Sequence, residues 1–426
     1  MQLVTGTLLH CLAKSPVELE FSPHTTLLID DHGRIKAKGK LADLQKQYPT
    51  AQGFDYTDRL LIPGFLDTHI HFPQMDMIGA MEPSLLPWLE KHTFPTEVAY
   101  RGRSDLMLKA AHQFVDELLS NGTTLACVYS SSNHDVTDLL FEVFAQRGLR
   151  GIIGKTSMDR HAPAALLVPM TDDLLQQNAL LQRWHGFDQR LSLALTPRFA
   201  PSCTPELMQA LGELHARHPD TYIQTHYAEN TGELLWIKEL FPKAHDYLEV
   251  YESFGLITER TVLAHGIHVE ADARQRLAQY KAIISHCPTS NLFLGSGLFA
   301  WKAMEEAGVP IALGTDVGAG TSFSLWQTMN EAYKVSALRG AAVRPIDLLA
   351  AATLKAAQAL GLPDLGSLTI GYQADFQVIN IRTRPLLERR IKMANSAEDI
   401  LAALIHLADD RCVESVWVNG KRLRST

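Results

Sequence analysis

The sequence predicts an α/β protein built on a (β/α)8 barrel, with a small β-sandwich domain formed from its N- and C-terminal segments. Three observations predict it. From residue 60 to about 360, apolar runs of four to eight residues alternate eight times with longer segments of helical period. On either side of that stretch the pattern turns to short alternating runs broken by turn residues, the mark of strands. The length, 426 residues, suits one barrel of about 250 residues with a smaller attachment. The expected division is 1–62 plus 368–426 for the composite β domain and 63–367 for the barrel.

The first segment alternates at 2–8, 17–21, 26–29 and 35–39, around turns such as Asp31-His32-Gly33, and reads as short antiparallel strands. Barrel strands are expected at 60–70, 123–129, 151–158, 191–197, 222–226, 262–265, 282–286 and 311–314. Helical periodicity fills 105–120, 136–147, 172–184, 205–217, 231–240, 270–280, 297–307 and 324–338. A further helical stretch at 346–360 precedes strands at 369–379 and 413–423, the last turning at Asn419-Gly420. Residues 83–98, with Trp88, Phe94 and three prolines, read as a long loop after the first barrel strand. Ordered loops of that length are usually functional.

Composition excludes several classes of partner. With 39 Lys+Arg against 47 Asp+Glu, a net charge of -8 and no basic run, nothing marks a surface for nucleic acid or anionic lipid. No stretch approaches the roughly 18 apolar residues of a membrane span, and the first residues lack the pattern of a secretory signal. A cytoplasmic protein is expected. The five cysteines are scattered without a Cys-x-x-Cys pair and fit core thiols in a reducing compartment.

Histidine is abundant, at 18 residues, and its placement is informative. Alternation along a strand puts His69 and His71 on one face, so both imidazoles can reach one cation. A His-x-His arises by chance about once in such a chain, but this one closes the first barrel strand, at the rim where barrel active sites are built. His226, His265 and Asp316 close the fifth, sixth and eighth strands. The intervals, 155 residues to His226, 39 to His265 and 51 to Asp316, fit strand–helix units of roughly 30 residues or more. Three histidines and a carboxylate suit zinc first and iron second. His268-Val269-Glu270 lacks the Pro-Cys-x-x-Cys of the small zinc deaminases and reads as loop. His215 and His218 read as a solvated helix end, and His286 as a packing or pocket residue.

The run Pro63-Gly64-Phe65-Leu66-Asp67-Thr68-His69-Ile70-His71, with two later histidines and Gly314-Thr315-Asp316, resembles the amidohydrolase superfamily. Within it the chain is similar to the guanine deaminase family through His71-Phe72-Pro73-Gln74, Leu89-Glu90-Lys91-His92-Thr93-Phe94-Pro95-Thr96-Glu97, Thr196-Pro197-Arg198-Phe199, His226-Tyr227-Ala228-Glu229-Asn230, His286-Cys287-Pro288-Thr289-Ser290-Asn291 and Gly314-Thr315-Asp316-Val317-Gly318. The resemblance implies a metal-dependent hydrolase acting on guanine, with xanthine and ammonia as products. It implies one zinc ion per chain, with iron possible, held by His69, His71, His226 and Asp316. Catalytic roles would fall to Glu229 as proton shuttle, His265 as the residue that orients the attacking water, and Asp316 as proton acceptor. Gln74, Arg198 and Phe199 would bind the purine. No lysine ends the fourth strand, which argues for one metal, and Lys155 near the third is no substitute. The resemblance also implies a homodimer, with segment 83–98 covering the purine or forming the dimer contact. A deaminase of another amino-substituted heterocycle (pterin, adenine derivative, triazine) is the alternative enzyme, and a non-catalytic scaffold the alternative class.

Overall fold

The computed structural model describes residues 1–425; Thr426, the last residue of the expected composite domain, lies outside them. Strands β1 (Gln2–Leu12), β2 (Glu18–Ile29), β3 (Ile35–Gly39) and β4 (Gln52–Pro63) open the chain. The barrel strands are β5 (Phe65–His71), β6 (Thr123–Tyr129), β7 (Arg150–Gly154) with its short continuation β8 (Thr156–Ser157), β9 (Leu191–Pro197), β10 (Tyr222–Tyr227), β11 (Thr261–His265), β12 (Ile283–His286) and β13 (Ile311–Leu313). The chain ends with β14 (Phe376–Ile379), β15 (Val413–Val418) and β16 (Lys421–Ser425).

The two ends build one seven-stranded sheet in the order β16-β15-β14-β4-β1-β2-β3. It is sandwich-like, with Val4, Leu8, Leu27, Leu61, Phe376 and Trp417 packed in one cluster. Two expectations change here. The runs at 17–21 and 26–29 are a single strand, because pairing with β1 carries the backbone through the polar residues between them, around a bulge at Gly6/Leu8. β4, of which the sequence showed only the part from residue 60, pairs with β1 in parallel, the chain crossing over through β2, β3 and the helix Leu41–Gln47. Of the run at 369–379 only β14 is strand, and the helices Pro385–Lys392 and Ala397–Leu407 fill the segment before β15.

The parallel barrel strands follow the order β13-β12-β11-β10-β9-β7-β6-β5. β13 returns to β5 where Asp316 N–H donates to His69 O at 2.8 Å and Thr68 Oγ1–H to Leu313 O at 3.0 Å. Leu66, Leu125, Ile152, Tyr222, Val262 and Ile283 fill the interior. The run read as 60–70 breaks at Gly64, where the chain leaves the sheet for the barrel. A Cβ there would lie 2.1 Å from Thr124 Cγ2, so only glycine permits the crossing. Below, Arg150 on β7 makes a buried ion pair with Asp375 just before β14, at 2.5 and 3.2 Å.

Segment 83–98 is not an open loop. It winds as Leu85–Trp88, a π turn at Leu89–Thr93 and the helix Phe94–Ala99. Pro95 follows directly on the π turn, a local widening of the helix of the kind found where its hydrogen-bond ladder is interrupted. Leu85, Trp88, Leu89 and Phe94 pack against Phe199 and Leu294, so tertiary burial holds a helix that the three prolines disguise. The helical stretch at 346–360 breaks at Thr353 into Pro345–Ala352 and Leu354–Ala359. No helix among the described residues is long and apolar enough to cross a membrane.

Candidate active site

At the carboxyl rim of the barrel, strand ends deliver their polar side chains into one cavity. His71, Gln74, Arg198, Phe199, His226, Glu229, His265 and Asp316 line it, with Leu85, Trp88, Leu89 and Leu294 as apolar walls. Two of these residues, His265 (φ 76°) and Asp316 (φ 53°), and Ala228 (φ 50°) beside Glu229 have left-handed backbone. Such conformations cost energy in non-glycine residues and cluster where a site demands them.

His69, His71, His226 and Asp316 come together around one point. His69 Nε2 and His71 Nε2 lie 3.1 and 3.2 Å from Asp316 Oδ1, and His71 Nε2 is 3.2 Å from both His69 Nε2 and His226 Nε2. His226 Nδ1 donates to Arg198 O at 2.6 Å, leaving its Nε2 a lone pair aimed at the cluster. Burial and the neighbouring histidines hold His226 well below the usual range. Burial draws His71 down to about 4. Burial alone would raise Asp316, but His69 and His71 hold its carboxyl well below the usual range. Imidazole nitrogens and a carboxylate oxygen are the donor set of a divalent cation, and the residues fit one. A second possible group, His265 with Cys287 and Asp316, shares Asp316; burial followed by the carboxylates keeps the Cys287 thiol protonated.

Asp67 braces this cluster. Its Oδ1 accepts from His69 N–H at 3.2 Å and Thr315 N–H at 3.0 Å, tying the first strand end to the last. Its carboxyl is raised to about 6, burial outweighing the hydrogen bonds from Thr315.

Glu229 lies between the end of β10 and the helix Thr231–Leu240. That helix begins with a capping box of Asn230 and Glu233, and Glu233 also accepts the Glu229 N–H at 2.8 Å, so the turn is rigid. Glu229 is 2% exposed. Burial, then the Asp316 and Glu233 carboxylates, push its carboxyl well above the usual range, while Ser296 Oγ–H donates to Oε1 at 3.2 Å. His265 Nε2 is 3.5 Å from Glu229 Oε2 and 4.0 Å from Asp316 Oδ2. With the Asn291 amide nitrogen 3.0 Å from His265 Nδ1, Nδ1 accepts and the ring proton stays on Nε2, facing both carboxylates. Burial draws His265 down to about 3.

Arg198 and Gln74 meet on Glu97, through Nη1–H to Oε2 at 2.6 Å and Nε2–H to Oε1 at 2.9 Å. Sequence reasoning missed Glu97, Asn291 and Ser296 as parts of the site. Glu97 and Asn291 stood inside quoted motifs and Ser296 a few residues beyond one. His286 is drawn away from the cavity into a stack on Phe299 at 4.3 Å. His268 caps the Ser296 carbonyl at 2.9 Å. His215 is buried rather than solvated, held by Thr221 at 3.1 Å. Lys155 is buried against Asp173, away from the cluster.

Comparison with known proteins agrees with this architecture. The Amidohydrolase family model matches residues 60–423. A guanine deaminase of Escherichia coli (strain K12) is 41% identical over 397 residues, 93% of this chain and 90% of that one. One from Homo sapiens is 32% identical across 85% of this chain and 82% of its own. Among solved structures, the E. coli guanine deaminase superposes with a TM-score of 0.96 at 38% identity, covering both chains fully. A guanine deaminase from C. acetobutylicum with bound guanine in the active site gives 0.90 at 28% identity over 99% of each chain. With a family model matched over residues 60–423 and a barrel whose first, fifth and eighth strand ends meet in a His/Asp cluster, the chain belongs to the amidohydrolase family.

Proposed function

We propose that the chain is a guanine deaminase, a hydrolase converting guanine and water to xanthine and ammonia. The observation that carries this reading is that one cavity joins a cation-ready cluster, a carboxyl of raised pKa and a paired Arg198–Gln74 edge. His69, His71, His226 and Asp316 would hold a single zinc ion, iron being the second choice by donor type. When bound, that ion lowers the pKa of water from 15.7 to about 7.

The residues of the chain do the rest. Arg198 and Gln74 bind the purine edge and Phe199 flanks the ring, turning C2 toward the cluster. The segment Leu85 to Ala99 walls the cavity and excludes water. His265, its ring proton fixed on Nε2, orients the attacking water, and Asp316 accepts a proton from it. Glu229 delivers a proton to the ring nitrogen beside C2, regains one from Asp316, which took it from the water, and passes it to the departing amine; the C–N bond breaks as ammonia leaves, the new C2 hydroxyl becomes a carbonyl and its proton returns to Glu229. A carboxyl of raised pKa suits that exchange, since it binds and releases a proton nearer neutrality.

The test is purified protein of measured metal content incubated with guanine while xanthine is followed. Turnover with about one zinc or iron per chain, lost in His69→Ala together with the metal, is expected. Glu229→Gln should keep the metal and lose about 10²–10⁴ in kcat. No turnover of guanine beside turnover of a pterin, adenine derivative or triazine would overturn the substrate. The same reading extends to a cytoplasmic homodimer, which sedimentation should show at twice the 47.3 kDa chain mass. It also extends to two domains, 1–62 with 368–426 and 63–367, with the crossing at Gly64 as support.

A further inference from the structure

Glu97 does not line the cavity, yet both side chains assigned to the purine edge are fastened to it. Gln74, Glu97 and Arg198 are 2%, 4% and 4% exposed. Glu97 rides on the helix Phe94–Ala99, and Phe94, one turn earlier, has its ring centroid 5.5 Å from the Arg198 guanidinium. An ionised carboxylate accepts hydrogen bonds and cannot donate them. The Gln74 amide therefore has one orientation, with its NH2 on Glu97 and Oε1 turned away. That oxygen lies against Gly318, where a Cβ would come within 2.2 Å of it. Arg198 spends Nη1 on Glu97 and keeps its other N–H donors. The cavity is thus shown a fixed pair, a donor from Arg198 beside an acceptor from Gln74.

We propose that Glu97 is the specificity-determining positioning residue, locking Gln74 and Arg198 into the arrangement that accepts only rings with a lactam edge, a carbonyl next to a ring N–H. The inference rests on the guanine reading above. A 6-amino edge presents the reverse pattern, a bare ring nitrogen beside an amino donor. Against it the Gln74 oxygen meets a lone pair and the guanidinium meets N–H groups, so buried polar atoms are left unpaired. Were residue 97 an amide, its own orientation could reverse, Gln74 could turn over and donate to the bare ring nitrogen, and the reverse edge would lose one of its two mismatches, the one at Arg198 remaining.

The test compares kcat/KM for guanine, 2,6-diaminopurine, which keeps the departing 2-amino group and alters only that edge, and 1-methylguanine, which blocks the ring N–H. Wild-type enzyme is expected to favour guanine over each analogue by at least about 10³-fold, as sites built to hydrogen-bond do. Glu97→Gln should narrow the guanine to 2,6-diaminopurine ratio at least tenfold, mainly through KM, with metal content unchanged and Tm lowered because the buried guanidinium loses its carboxylate, and Glu97→Asp should restore part of the ratio. A folded, metal-replete Glu97→Gln that keeps the wild-type ratio would overturn the role of Glu97. Should that variant not fold, wild-type turnover of either analogue within tenfold of guanine overturns the proposal, and stronger discrimination against both supports it. No guanine turnover by the wild type overturns the proposed function as well; turnover without discrimination sinks this inference alone.

Discussion

His265 reaches the two carboxylates of the site with a proton only because Asn291 occupies its other nitrogen. Asn291→Asp would supply an acceptor in place of the amide donor, move the ring proton to Nδ1 and leave Nε2 a lone pair facing Glu229. The expected result is a fall in kcat of at least about tenfold with little change in KM, read from steady-state kinetics; a second-layer change of this kind costs about 10–100-fold in metal sites. The meeting of His69, His71, His226 and Asp316 at one rim was legible in the sequence because each ends a strand or follows one closely, a position that periodicity can locate, whereas Glu229 was singled out by the family resemblance. Asn291, Glu97 and Asp67 were not legible. Their partners lie 26, 101 and 248 residues away, and no local pattern announces which polar side chain a distant one will meet.

Among the elements, the barrel strands were readable as apolar runs, and β6 and β9 match the expected 123–129 and 191–197. The helical wall from Leu85 to Ala99 was hidden by its prolines, and β2 by polar residues carried through by pairing. β12 shows an energetic consequence of strand-end histidines. His286 is buried against Phe299, and burial draws it from 6.5 to about 3. Below pH 6.5 the unfolded chain binds a proton there that the folded chain does not, so this contribution to stability is full above 6.5 and is lost as pH falls toward 3. Its slope is about 1.4 kcal/mol per pH unit. His286→Gln should flatten the acid limb of urea unfolding between pH 6 and 4 by about one proton; an unchanged slope would contradict this.

Across the whole molecule, the barrel floor is pinned to the composite sheet by the Arg150–Asp375 pair, 8% and 4% exposed at their side chains, with Asn419 N–H also donating to Asp375. Removing one partner strands a buried charge. Asp375→Asn should therefore lower unfolding free energy by about 3–5 kcal/mol while leaving metal content intact, as measured by urea denaturation and elemental analysis. The barrel class was plain in the sequence from its eightfold alternation. That the two ends share one sheet, with β1 parallel to β4, was only partly so, since strand order is set by packing and not by pattern. This shared sheet also governs how the molecule comes into being. β4 pairs with β14, and the roughly 310 residues between them take about 15–60 s to synthesise at about 5–20 residues per second. For that interval one edge of β4 is open to the wrong strand, so the nascent chain is exposed to aggregation until the last of the barrel has left the ribosome.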